Sequence, residues 1–214
     1  MSRRKAPKSV VKRLPVYLRI LDNLIRRDIE VVSSRVLSDE TGFTAEQIRK
    51  DLAYFGAFGT RGTGYNTHYL RDKLLRIIGL HRVTKIIVVG YGHLGKALTR
   101  YNAVKNSYVD IVAAFDINPV EEEAIEGLRV LEMQYLPEVI REEEVKVAIL
   151  TVPAEAAQEV VDLLVENGIT SILNFAPTNI SVPEGVYVHN TDLTLELQTL
   201  IYYSFEDEAL HYGE

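Results

Sequence analysis

Three glycines close a run of β-branched residues in Lys85-Ile-Ile-Val-Val-Gly-Tyr-Gly-His-Leu-Gly95. The spacing Gly90-x-Gly92-x-x-Gly95, after an expected strand and before an expected helix, suits a turn that meets a dinucleotide. Gly90 permits the tight turn, Gly92 lets a pyrophosphate approach the backbone, and Gly95 lets helix and strand pack closely. Tyr91, His93 and Leu94 complete the turn, where the helix N-terminus presents free N–H groups to the diphosphate. Asp116 follows about twenty residues later, at the end of the next apolar run. A carboxylate there accepts bonds from ribose hydroxyls and repels a 2′-phosphate, so NAD(H) is expected rather than NADP(H).

Redox chemistry within the chain is limited. There is no cysteine, hence no disulfide, thiolate zinc site or thiol switch, and no metal site is assigned. A redox response must come through a bound cofactor. A dehydrogenase would need a general acid or base at the nicotinamide. The histidines are His68, His81, His93, His189 and His211. His93 lies in the diphosphate turn, and His189, near the last strand, is the only one placed for catalysis. No separate substrate domain follows, so no catalytic residue is assigned and an NAD-dependent dehydrogenase with an added N-terminal domain stands as the alternative. A CoA-binding module is a third reading, since it shares the glycine turn and resembles the Thr151-Val-Pro153 segment. Asp116 argues against its 3′-phosphorylated ribose.

The elements that position these residues alternate. Strands are expected at Ile86–Val89, Ile111–Phe115, Val145–Thr151, Ser171–Asn174 and Val186–His189. Helices are expected at Leu94–Lys105, Met133–Arg141 and Ala154–Asn167, the last ended by Gly168. This order predicts a parallel, doubly wound sheet. Ligands bind such sheets at the strands' carboxyl ends. There lie Thr151-Val152-Pro153 and Asn174-Phe175-Ala176-Pro177, the candidates for the nicotinamide side. Tyr101, on the cofactor-binding helix, is expected to face the same region.

The first half of the chain is of opposite charge. Residues 1–82 carry +9 and residues 83–214 carry −15, within a net charge of −6. A basic unit beside an acidic one points to a polyanion as partner of the first. Arg3, Arg4, Lys5, Lys8, Lys12 and Arg13 form a flexible arm that ends at Pro15 and can follow phosphates or a minor groove. A helix from Val16 to Asp28 follows. Ser33-Ser34 caps a helix at Arg35–Glu40, Thr41-Gly-Phe43 turns, and Thr44 caps a helix from Ala45 to Tyr54 with Gln47 as its capping-box partner. This is the order of a helix-turn-helix. Ile48, Leu52 and Phe55 make its inward stripe, and Gln47, Arg49, Lys50 and Tyr54 are expected outside. Arg pairs bidentately with guanine and Gln with adenine, while Lys50 is expected on a phosphate. Gly56, Gly59, Gly62 and Gly64 follow as a strand–turn–strand wing with Arg61 at its tip, aimed at a minor groove. A helix from Tyr69 to Leu80 links the two halves.

The tail from Asp192 to Leu210 reads as one helix with more apolar surface than one covered side accounts for, so a partner subunit is expected. The N-terminus lacks an apolar signal segment and no run reaches membrane-spanning length, so a soluble, cytoplasmic chain without a membrane partner is expected.

Taken together, Arg49-Lys-Asp-Leu-Ala-Tyr-Phe-Gly56, Gly59-Thr-Arg-Gly-Thr-Gly-Tyr65, Gly90-x-Gly-x-x-Gly95, Leu150-Thr-Val-Pro153 and Asn174-Phe-Ala-Pro177 resemble the redox-sensing transcriptional repressor Rex family along nearly the whole chain. The resemblance implies a winged helix-turn-helix domain (1–82), a Rossmann-type NAD(H) domain (83–190) and a C-terminal helix (191–214) swapped in a homodimer. It implies binding of palindromic operator DNA in the apo or NAD⁺ state and release by NADH. Tyr101 matches a nicotinamide-side tyrosine, and Asp192 an acid that switches partners with an arginine of the first helix, here Arg19. His93 and Leu193 depart from the family's pattern, the first in the diphosphate turn and the second where some relatives carry Phe.

Overall fold

The computed structural model describes residues 6–60, 62–105, 107–119 and 127–209. The chain divides into two compact units between Arg82 and Val83.

The first unit runs α1 (Lys8–Arg26), β1 (Val31–Val32), α2 (Ser34–Thr41), α3 (Ala45–Ala53), β2 (Tyr65–Asn66) and α4 (Thr67–Ile78). Its core joins Leu14, Tyr17, Leu21 and Leu24 of α1 to Leu37 of α2, Ile48 and Leu52 of α3, and Leu70 and Leu74 of α4. Local chemistry sets the starts. Ser33 Oγ accepts from the Val36 N–H and Thr44 Oγ1 from the Gln47 N–H, both at 3.2 Å. Asn66 Oδ1 accepts from the Tyr69 N–H at 2.9 Å.

Two expectations are corrected here. Helix α1 begins at Lys8 rather than Val16, so Pro15 lies inside it and residues 8–13 are not a free arm. An interior proline costs about 3 kcal/mol. Burial of Val10 and Leu14 on the same face, at about 1.5–3 kcal/mol each, offsets that cost. Arg3, Arg4 and Lys5 lie outside the described residues. The wing is also slighter than a strand–turn–strand. Thr60 and Gly64 form a single bridge, and β2 pairs antiparallel with β1, from before α2.

The second unit is a six-stranded parallel sheet, β3 (Thr84–Val89), β4 (Val109–Asp116), β5 (Val130–Glu132), β6 (Val147–Leu150), β7 (Ser171–Asn174) and β8 (Tyr187–Asn190), in spatial order β5-β4-β3-β6-β7-β8. Helices α5 (His93–Lys105), α6 (Leu136–Glu142), α7 (Ala154–Glu166) and α8 (Leu193–Ala209) follow β3, β5, β6 and β8. One face of the sheet, with Ile87, Val89, Ala113 and Phe115, packs on α6 and α7. The other, with Ile86, Val88, Ala114 and Ile149, packs on Tyr91 and Leu98 of the α5 side. Strand β3 is therefore buried on both faces, which is why it reads as an unbroken apolar run. The strand order reverses between β3 and β6, and that switch point is where such a sheet opens a crevice.

The three-residue β5 went unread in the sequence. The single helix expected at Met133–Arg141 is a 3-10 turn, Met133–Tyr135, followed by α6 with Pro137 in its first turn. Helix α8 leaves its apolar residues open, from 47% exposure at Ile201 to 65% at Leu200. Among the described residues no helix is long and apolar enough to cross a membrane.

Candidate dinucleotide site and nucleic-acid face

Strand β3 delivers the chain to Gly90, whose φ of +92° suits glycine. The turn is pressed hard against its surroundings. A Cβ on Gly95 would stand 2.0 Å from the Gly90 carbonyl oxygen, and one on Gly90 would stand 2.8 Å from the Thr151 carbonyl. Thr151 Oγ1 fastens the turn to the end of β6 by donating to the Gly90 carbonyl at 2.6 Å. Gly92 differs, because a Cβ there would meet nothing within 4 Å. Its backbone faces open space at the N-terminus of α5, a cradle that fits a diphosphate.

Asp116 ends β4 beside this turn. Its Oδ2 accepts the Tyr91 N–H at 2.6 Å and its Oδ1 the Asn118 N–H at 3.0 Å. A carboxylate offers about four lone-pair sites, so acceptor capacity remains for ribose hydroxyls. A cavity of about 570 Å³ opens alongside, lined by Gly90, Asp116, Ile117, Met133, Val152 and Val160 among others. That is the size of a ligand cleft. Its apolar wall opposite one carboxylate suits a flat base next to a sugar. A smaller recess of about 180 Å³ adjoins it, lined by Tyr91, Gly92, Lys96, Asp116 and Asn118.

Sequence reasoning missed Ile117, Asn118, Met133, Ala156 and Val160 in these walls. The signal for Ile117 and Asn118 was their place directly after Asp116. Met133 follows the unread β5.

Other candidates fall differently from expectation. Thr151, Val152 and Pro153 line the cavity that holds Asp116 and Ile117, so they sit on the acid's side rather than with the Asn174 loop. Asn174 is fully buried and its amide is committed. Nδ2 donates to the Ala176 carbonyl at 3.1 Å and to Asn190 Oδ1 at 3.0 Å, while Oδ1 accepts the Ala176 N–H at 2.9 Å. It braces the loop after β7 rather than offering itself to a ligand. Ala176 is buried and Phe175 half-buried in that loop. Tyr101 is 65% exposed and does not face inward. His93 and Leu94 are exposed at the start of α5, whereas the Tyr91 ring is buried and its hydroxyl has no hydrogen-bond partner among the described residues. His189 is exposed on the edge strand β8, and His211 lies outside the described residues.

In the first unit, α3 turns Arg49, Lys50 and Tyr54 outward. Arg49 Nη1 donates to Ser34 Oγ at 2.9 Å, Lys50 pairs with Glu46 at 2.7 Å, and Tyr54 stands edge-on to Phe55. A cleft of about 540 Å³ lies between this helix and the wing, with Ser33, Ser34, Arg49, Gly59, Thr63 and Gly64 in its walls. Arg61 is outside the described residues.

Gln47 and Arg13 are corrections. The Gln47 amide does not close a capping box or point outward, because its Nε2 donates to Asp51 Oδ1 at 2.7 Å. Arg13 is likewise engaged, with Nε and Nη2 on the two Asp51 oxygens at 2.6 and 2.8 Å. Tyr17 donates its hydroxyl to Oδ2 at 2.7 Å. Burial by itself would push the Asp51 carboxyl up; the bonds from Arg13, Tyr17 and Gln47, with Arg13's charge, outweigh it and hold the carboxyl below its usual range.

Arg19 and Asp192 fall in different units. Arg19 is exposed on α1. Asp192 caps α8, its Oδ1 accepting the N–H groups of Thr194 and Leu195 at 2.9 and 3.2 Å.

With these sites in place, the chain was compared with known proteins. Residues 81–178 match the family described as "CoA binding domain", and residues 5–53 match "Putative DNA-binding protein N-terminus". The redox-sensing transcriptional repressor Rex of Natranaerobius thermophilus is 60% identical over 206 residues, covering 96% of this chain and 94% of that one. The Rex of Listeria welshimeri is 44% identical over 200 residues, covering 93% of each. Among solved structures, RSP in complex with β-NAD⁺ and operator DNA superposes with a TM-score of 0.90 at 36% identity, covering 97% of this chain and 96% of that one. RSP in complex with β-NADH gives 0.83 at 34% identity, covering 98% and 99%.

Proposed function

This chain belongs to the Rex family of redox-sensing transcriptional repressors, and from that premise we propose that it grips a palindromic operator as a homodimer when apo or NAD⁺-bound and releases it when NADH binds. One observation carries the reading. A helix presenting Arg49, Lys50 and Tyr54 shares a chain with a glycine turn whose Gly92 backbone opens beside Asp116.

In the second unit, N–H groups at Gly92, His93, Leu94 and Gly95 take the diphosphate, with Gly90 and Tyr91 shaping the turn. Asp116 accepts the ribose hydroxyls, and Ile117, Met133, Val152 and Val160 cover the base. Thr151 and Pro153 complete that wall. Phe175 and Ala176 form the nicotinamide side, with Asn174 holding their loop. Bound NAD(H) supplies a ring that is cationic when oxidised and neutral when reduced. Residues around that ring can shift the dimer only through different affinity for its two arrangements.

In the first unit, Arg49 reads guanine, Lys50 and Tyr54 hold the backbone, and the cleft beside the wing takes a phosphate. Arg61 reaches the minor groove. Two such helices must stand about 34–36 Å apart, or a multiple, to meet successive major grooves. Residues 191–214 form the dimerisation segment, and the open apolar face of α8 is covered by the partner subunit. Arg19 and Asp192 exchange partners as the dimer changes state. The chain acts as a regulator in the cytoplasm and turns over no substrate.

The test is fluorescence anisotropy of a palindromic duplex selected by the full-length chain from random-sequence DNA. NADH is expected to release it and NAD⁺ to leave it bound. An undiminished grip with NADH at saturation overturns the reading.

A further inference from the structure

Helix α1 packs chiefly on α4 and α2, and α3 packs chiefly on α2. Ile48 and Leu52 of α3 share the apolar core with Leu14, Tyr17 and Leu21 of α1, and beside that core a polar joint ties the two helices. Asp51, on the inner side of α3, is 1% exposed. It accepts two bonds from Arg13 and one from Tyr17, both on α1, and one from Gln47 on α3. Arg13 and Tyr17 are four residues apart and so share one face of α1. Phe43, in the turn before α3, completes the joint. Its ring meets Tyr17 edge-to-face at 5.9 Å and lies 5.8 Å from the Arg13 guanidinium.

We propose that Asp51 is the positioning residue of the reading helix, fixing α3 to α1 so that sequence discrimination depends on a carboxylate that does not itself touch DNA. The proposal rests on the operator-binding reading above.

Three physical points support it. A bidentate arginine–carboxylate pair fixes angle as well as distance, which a single bond or an apolar contact does not. The three bonds from α1 converge on one carboxylate, and Gln47 steadies that carboxylate from within α3, so a rotation of α3 against α1 disturbs all three together. The arrangement also withdraws Arg13 and Gln47, which on residue type alone would serve as a phosphate contact and a base reader. Arg49, Lys50 and Tyr54 remain the outward set. Arg19 stands on the exposed surface of the same α1.

The experiment compares the wild-type chain with Asp51→Asn and Tyr17→Phe, all full length. Anisotropy gives affinities for the selected palindromic duplex and for a scrambled duplex of equal length. NADH binding, followed by the dinucleotide's own fluorescence, reports on the other unit. In Asp51→Asn the amide keeps the shape but not the charge, and Arg13 is freed. The expected result is a loss of roughly 30-fold on the palindrome, the scale of one or two mismatched base pairs. Affinity for the scrambled duplex is held or raised by the freed guanidinium, and NADH binding is unchanged. A palindrome-to-scrambled ratio equal to that of wild type overturns the proposal. Should Asp51→Asn lose both duplexes together with its helical signal, Tyr17→Phe decides. A ratio lowered about threefold, the scale of one lost hydrogen bond, supports the proposal. An unchanged ratio overturns it. Wild-type chain that selects no duplex at all overturns the operator-binding reading itself, a result separable from a change in ratio.

Discussion

Asp51 and Asp116 carry the same charge and serve different units of the chain. Asp51 is sealed, and its acceptor sites are filled by side chains reaching from α1 and along α3. Asp116 is half-buried at a cavity rim, and its two bonds come from backbone N–H groups. One of those belongs to the glycine turn. The contrast separates a brace from a receptor. A carboxylate saturated by mobile side chains converts their entropy into a fixed angle between helices. A carboxylate held by backbone keeps its position without using its full acceptor capacity, and what remains is available to a ligand.

The comparison breaks most visibly at the brace. Arg13→Ala leaves the Asp51 charge buried without its cation, and such losses run to about 3–5 kcal/mol. The first unit is expected to unfold at markedly lower urea, followed by far-UV circular dichroism, while NADH affinity is retained. Acid adds a second readout. The Asp51 carboxyl is held below its ordinary value of 3.8, so the stabilisation is complete above that pH and is lost as pH falls through the lower folded value. Wild type is expected to show this acid limb and Arg13→Ala to lack it. Equal urea midpoints in the two proteins would remove Asp51 from the role of brace.

Asp116→Ala probes the receptor. Among the described residues the bonds lost from the fold are those from the Tyr91 and Asn118 N–H groups at the rim, so stability changes less than in Arg13→Ala. The expected loss is in NADH affinity, about 10- to 100-fold, or roughly 1.4–2.8 kcal/mol. Operator affinity without cofactor stays at the wild-type level, and NADH concentrations that release wild type leave the variant bound. An unchanged NADH dissociation constant contradicts the ribose role.

The receptor was legible in the sequence and the brace was not. Gly90, Gly92, Gly95 and Asp116 occupy positions where backbone geometry dictates residue type, and their spacing follows from one strand–turn–helix unit. Asp51 carries no such signal, because nothing in local sequence says that a residue 38 positions away folds onto it. The same blindness misplaced Arg13 and Gln47, whose types suit DNA and whose partner lies across the fold. Pro15 was read as a boundary, since local propensity opposes a helix through it and tertiary burial overrides that preference. Strand β5, with three residues, is too short to show a period. The parallel, doubly wound class was legible because strands and helices alternate along the chain, while the order of the strands was not read from it.

The smallest expected effect sharpens the contrast from the outside. Lys50 and Glu46 form an ion pair in which both side chains are well exposed, at 70% and 69%. Solvent screens such a pair, and it contributes little to holding the fold. Lys50→Ala is therefore expected to leave the urea midpoint of the first unit where it is, in contrast to Arg13→Ala on α1. Its effect belongs to DNA. A lysine on a phosphate releases a counterion on binding, so its removal weakens palindromic and scrambled duplexes alike. It also lowers the slope of log affinity against log salt by about one. A change in the palindrome-to-scrambled ratio would instead make Lys50 a base reader. An unaltered slope would place it off the DNA, leaving Arg49 and Tyr54 to carry the outward face of α3.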